Sequence, residues 1–185
     1  MRFAMWNRFK AMRIPLFKVS GIQVNLDMSW FVIFGLLTWS LSAGFFPLHS
    51  GGMSVAGRWT AGVLTSVLFF LSIVLHEIAH SFVALRSGIS SRAITLYIFG
   101  GASHLASEPK TPRTEFTIAI AGPVANLIVS IFLYVIRMNV FSGYASSASA
   151  VLYFLFWINL SIGLFNLVPT FPLDGGRILR SFVWW

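Results

Sequence analysis

Four stretches of this chain are long and apolar enough to cross a lipid bilayer, which takes about 20 residues of helix. They run from Met28 to Phe46, Ala61 to Leu85, Phe116 to Ile136 and Val151 to Val168. Pro169 and Pro172 would stop a helix after the fourth, and Ser181–Trp185 reads as the start of a fifth. A water-soluble globule could not hide so much apolar surface: 57% of the 185 residues are hydrophobic and only 10% are charged. The chain has no cysteine, which excludes disulfides, Cys-ligated zinc and Fe–S clusters. Ala93–Leu105, rich in Ile, Thr and Tyr with Gly100-Gly101 inside it, has the composition of a hairpin or edge strand. The expected fold is an α-helical polytopic membrane protein with about four transmembrane helices. A short membrane-associated β segment lies between the second and third.

The net charge of +8 is a topology signal. Eleven of the thirteen Lys and Arg residues fall before span one, between spans two and three, or after span four, leaving only Arg58 and Arg137 for the other side. The positive-inside rule therefore puts the N-terminus in the cytoplasm of a multi-pass cell-membrane protein. The same charge attracts anionic lipid of the bilayer. No nucleic-acid partner is expected, because no basic-plus-aromatic module is visible. Residues 1–27 read as a cytoplasmic or interfacial segment. Phe3, Trp6, Phe9 and Met12 recur at near-helical spacing there, and Val19–Leu26 alternates like a short strand. Residues 28–185 form the membrane core.

Three ionisable groups stand inside span two, in Leu75-His76-Glu77-Ile78-Ala79-His80. Such groups at membrane depth are costly unless paired or coordinated. Residues four apart on a helix share a face, so His76 and His80 can converge on one ion, while Glu77 leans over a bound water as general base. This is the H-E-x-x-H arrangement of zinc hydrolases. Catalytic zinc usually has three protein ligands. His80 lies only about 8 Å along the helix from Leu85 at the inner end, so the site falls in the cytoplasmic half of the bilayer. Asp174, six residues beyond span four on the same side, is the carboxylate that can return to it. Its other reading is the N-cap of a helix starting near Arg177. Gly122-Pro123 reads as a kink with close helix packing, and Asn126 as a packing residue or a polar group opposite the metal. Asn166 either satisfies freed carbonyls at a helix end or donates to a developing oxyanion. His49 and His104 read as surface residues.

Taken together, His76-Glu77-Ile78-Ala79-His80, Phe99-Gly100-Gly101, Ala121-Gly122-Pro123-Val124-Ala125-Asn126 and the stretch from Asn166 through Leu173-Asp174-Gly175-Gly176-Arg177 resemble the site-2 protease family of intramembrane zinc metalloproteases, peptidase family M50. The resemblance implies one Zn2+ per chain on His76, His80 and Asp174, with Glu77 activating water and Asn166 binding substrate or the oxyanion. It implies hydrolysis of peptide bonds in or near the transmembrane segment of a membrane-tethered substrate, such as a transcription factor or an anti-sigma factor. The strand with Phe99-Gly100-Gly101 is then the family's β segment, expected to pair with an unwound substrate. Relatives usually continue past Leu-Asp-Gly, so the sequence reads as truncated at its C-terminus. The competing classes are a metal-ion transporter or channel and an inactive membrane scaffold.

Overall fold

A backbone in lipid must satisfy its own hydrogen bonds, which helices do without outside partners. The computed structural model, which describes residues 13–19, 21–98, 100–141 and 146–185, does so four times. Helix α1 covers Ser29–His49, α2 Val55–Arg86, α3 Pro112–Val140 and α4 Ser147–Asn166, each long and apolar enough to span a membrane. A fifth helix, α5, covers Asp174–Trp184. It begins seven residues before the predicted fifth span, with Asp174 as its first residue.

Polar caps explain why the helices start earlier than the apolar runs. Ser54 Oγ accepts from Gly57 N at 3.1 Å, which brings the residues before Ala61 into α2. Thr111 Oγ1 accepts from Thr114 N at 3.2 Å, with Pro112 in the first turn. Ser146 Oγ likewise caps α4 through Ser149 N. At its other end α2 is closed by Gly88, whose φ of +78° lets Ile89 N return to Ala84 O at 2.9 Å.

Helix α1 contains a π-helical turn at Leu41–Phe45. It lies against α2 through small polar residues: Thr38 Oγ1 donates to Ser66 Oγ at 2.9 Å, and a Cβ on Gly62 would come within 2.1 Å of Ser42 Oγ. Close approach through small side chains is how helices associate where lipid offers no hydrophobic drive. The most central helix is α3, which packs against α2, α4 and α5.

The sheet has four strands in the order β1-β2-β3-β4. Strand β1 covers Arg13–Val19, β2 Ile22–Asp27, β3 Ser91–Tyr97 and β4 Gly100–Leu105. The predicted strand Val19–Leu26 is thus divided by a turn at Gly21 (φ +84°), and its two halves belong to an antiparallel hairpin. The hairpin of β3 and β4 is antiparallel as expected. Strand β2 pairs with β3 in parallel, which the two spans between them permit as a long crossover. The period-two pattern of β2 buries Ile22, Val24 and Leu26, and the last two pack with Leu96 against Val74 of α2. The sheet is thereby fixed to the helix that carries the histidines. The amphipathic N-terminal run Phe3–Met12 and Phe99 lie outside the described residues.

Candidate metal centre

His76, Glu77 and His80 are all buried in the C-terminal half of α2, at 6%, 9% and 3% exposure. Helical spacing brings the imidazoles together, with His76 Nε2 3.0 Å from His80 Nε2. From the start of α5, Asp174 Oδ2 lies 3.2 Å from each of these nitrogens. Arg177 Nη1 stands 4.0 Å from the other oxygen, Oδ1.

The opposite sides of the rings determine what the three atoms can hold. His80 Nδ1 lies 2.7 Å from Ile118 O, which can only accept, so Nδ1 carries the proton. His76 Nδ1 lies 2.9 Å from Asn126 Oδ1. Asn126 Nδ2 is directed at Asn159 Oδ1 at 3.4 Å, and Asn159 Nδ2 donates to Leu155 O at 2.8 Å. That chain of donors orients the Asn126 oxygen toward the imidazole. With both Nδ1 atoms protonated, the two neutral imidazoles and the carboxylate present three lone pairs to one point. Donors about 2.0–2.1 Å from a tetrahedral zinc stand about 3.3 Å apart, close to the spacings found here. His76, His80 and Asp174 therefore fit a metal ion, and they form the one such group among the described residues.

Glycines bring the surrounding backbone close. A Cβ on Gly122 would lie 2.3 Å from His80 Nε2 and 2.5 Å from His76 Nε2. The helix continues through Pro123 to Val140, and the close packing expected at Gly122-Pro123 is present. Gly122 leaves room for the two rings. Gly101 of β4 plays the same part for Glu77: a Cβ there would approach Glu77 Cγ to 2.6 Å and Oε1 to 3.2 Å. A Cβ on Gly175 would likewise come within 2.2 Å of Val168 O and 2.4 Å of Leu167 O, so its absence lets residues 167–173 turn back and deliver Asp174.

His76 and Glu77 open onto a cavity of about 660 Å³. Water must reach a hydrolytic metal, and a polar path between spans two, three and four is the expectation for three ligands carried by or following those spans. The cavity instead lies between α1, α2, α4 and the β3–β4 tip, and its walls are mainly apolar, with Ile33, Leu37, Phe69, Phe70 and Phe165 among them. The reason is that α3 spends its inward face on the imidazoles. Asn166 reaches the cavity wall, while its Nδ2 donates to Ile162 O of its own helix at 3.0 Å. His49 is exposed near the end of α1, 2.9 Å from Phe45 O, and takes no part.

Sequence reasoning missed two partners. Asn159 gave no local signal, because one amide in an apolar helix looks like a packing residue. Glu115 stands just before the apolar run that starts at Phe116, a place where water can solvate a carboxylate, yet it is 0% exposed and accepts from Arg180 Nε at 2.8 Å. The signal was the spacing 115, 118, 122, 126, which is one face of α3, buried throughout. Replacing Asn126 by Leu should free the His76 ring and weaken zinc binding 10–100-fold, the usual range for outer partners of a metal-ligating histidine. A competition titration against a chelator would measure this, and unchanged affinity would remove Asn126 from that role.

Known proteins share this arrangement of sequence and fold. The family model for peptidase family M50 matches residues 64–143 and 135–185. The Synechocystis protein sll0528 is 41% identical over 166 residues, covering 89% of this chain and 42% of the relative. Zinc metalloprotease MJ0392 of Methanocaldococcus jannaschii is 33% identical over 170 residues, covering 92% and 45%. The chain thus spans less than half the length of these curated relatives. Among solved structures, a site-2 protease from Methanocaldococcus jannaschii superposes with a TM-score of 0.66 at 35% identity, over 93% of this chain and 72% of that one. With four spans, a sheet fixed to the second of them and a His-His-Asp cluster beneath it, this chain belongs to peptidase family M50.

Proposed function

We propose that the chain carries the catalytic core of an intramembrane zinc metalloprotease, with His76, His80 and Asp174 as zinc ligands and Glu77 as general acid–base. One observation supports this above all: three lone-pair donors within 3.2 Å of one another, beside a buried carboxylate on a cavity wall. Zinc bound there supplies a Lewis acid that polarises a carbonyl and lowers the pKa of water. Glu77 takes the proton of the attacking water on its carboxylate and gives it to the departing amine nitrogen as the C–N bond breaks. The Nδ1 bonds to Asn126 and Ile118 hold the imidazoles in the tautomer that leaves Nε2 free. Asn166, on the wall of the same cavity, contributes to binding substrate or the oxyanion.

The mainly apolar walls suit a transmembrane segment of a membrane-tethered substrate, for which a transcription factor or an anti-sigma factor is the expected class. Strand β4 lies at the sheet edge and touches Glu77 through Gly101. Its backbone would pair with an unwound segment by strand addition. Residues 28–185 make up the catalytic core and residues 1–27 an interfacial segment. The basic residues favour a cytoplasmic N-terminus, with the metal in the cytoplasmic half of the bilayer.

Asp174→Ala tests the ligand set. The wild-type protein in lipid nanodiscs should hold one zinc per chain. The variant should lose zinc affinity by about 100-fold or more, beyond the range for outer partners, and lose cleavage of a membrane-tethered reporter with it. Wild-type zinc affinity in the variant would refute the assignment.

A further inference from the structure

The helix that supplies Asp174 is short and has one main support. Helix α5 has 11 residues, and its extensive packing is against α3. The same face of α3 supports the imidazoles, through Ile118 O, Gly122 and Asn126. Glu115 continues that face one turn toward the start of α3. It is buried without access to water, Arg180 donates to its Oε1 from both Nε and Nη2, and its Oε2 has no partner among the described residues. A carboxylate so placed is tolerated only while its cation stays.

The two helices match in length. Glu115 and Gly122 are about 10.5 Å apart along α3, and Arg180 and Asp174 about 9 Å apart along α5. When Arg180 meets Glu115, Asp174 comes level with the rings that crowd Gly122. Among the apolar contacts between these helices is Phe182 edge-on to Phe116 at 5.5 Å between ring centres. An apolar contact of that kind lets a helix slide, whereas a charged fork on a buried carboxylate fixes it.

We propose that the Glu115–Arg180 pair is a clamp that sets the register of α5 on α3 and thereby the position of Asp174 against His76 and His80, which makes Arg180 a positioning residue for the metal. The proposal rests on the zinc-site reading above. It requires no contact between Arg180 and metal or substrate.

Zinc affinity, measured by competition with a chromophoric chelator on the whole protein in nanodiscs, provides the test. Arg180→Ala should weaken zinc binding about tenfold or more, and Arg180→Lys should recover part of the loss by restoring a cation without the fork. Added to Asp174→Ala, the Arg180→Ala change should alter affinity less than twofold, because the clamp acts only through that carboxylate. Should Arg180→Ala fail to fold, Glu115→Gln with Arg180→Met leaves no buried charge unpaired and must give the same weakening. Affinity within twofold of wild type in the folding variant would overturn the clamp, as would an equal loss in the Asp174→Ala background. Wild-type affinity in Asp174→Ala alone would instead overturn the zinc-site reading, so the two failures are distinct.

Discussion

Replacing Glu77 by Gln should leave one zinc per chain in place while cleavage falls about a thousandfold, within the range lost with a general acid–base. Gln keeps the length and planarity of Glu, so the contact with Gly101 and the position on the cavity wall are retained. The amide cannot take a proton from water or return one to the leaving amine. The imidazoles and Asp174 are untouched, which is why metal and turnover should separate. Zinc content by elemental analysis and cleavage of a membrane-tethered reporter, measured on the same preparation, give both readings. Cleavage within tenfold of wild type would exclude Glu77 from proton transfer. Loss of zinc would make it a structural partner of the site. A transporter offers no reason for metal retention and peptide cleavage to part in this way.

Gly122→Ala should be as damaging although it changes no ligand. The added methyl would occupy space 2.3 Å from His80 Nε2 and 2.5 Å from His76 Nε2, about an ångström inside van der Waals contact. Both rings are held from behind by Asn126 and Ile118, so they cannot yield without breaking the bonds that set their tautomer. Alternatively α3 moves away from α2, and the carbonyl and amide move with it. Either response separates the three donors, whose fit to one ion depends on spacings near 3 Å. The expected result is a loss of zinc affinity of about 100-fold or more together with loss of cleavage. Helical content by circular dichroism should remain near wild type, since alanine is the better helix former. A Gly122→Ala protein that binds zinc normally would show that the rings adjust freely.

The membrane spans and the histidine pair were legible because their signals are local. A run of apolar residues has one way to satisfy its backbone in lipid, and residues four apart on a helix have to share a face. The caps are equally local, but Ser54 and Thr111 stand outside the apolar runs, so spans read from hydropathy start too late for α2 and α3. That displacement also hid Glu115, which looks like a loop carboxylate until Thr111 draws it into the first turn. Gly122-Pro123 was legible as a place of close packing, while the neighbour that needed the space was not. Nothing nearby in the chain indicates that a glycine in span three faces imidazoles from span two.

Sequence alone determined the membrane class, the convergence of His76 and His80 and the candidacy of Asp174, because each follows from the period of a helix or the length of a span. Only the tertiary structure decided that Asp174 Oδ2 comes within 3.2 Å of both rings, that Asn126 and Ile118 set their tautomers, and that the cavity opens toward α1 and α4 instead of α3. Those outcomes depend on how separate helices lie against one another to within an ångström. That is a property of side-chain packing between distant segments, which helical periodicity does not encode.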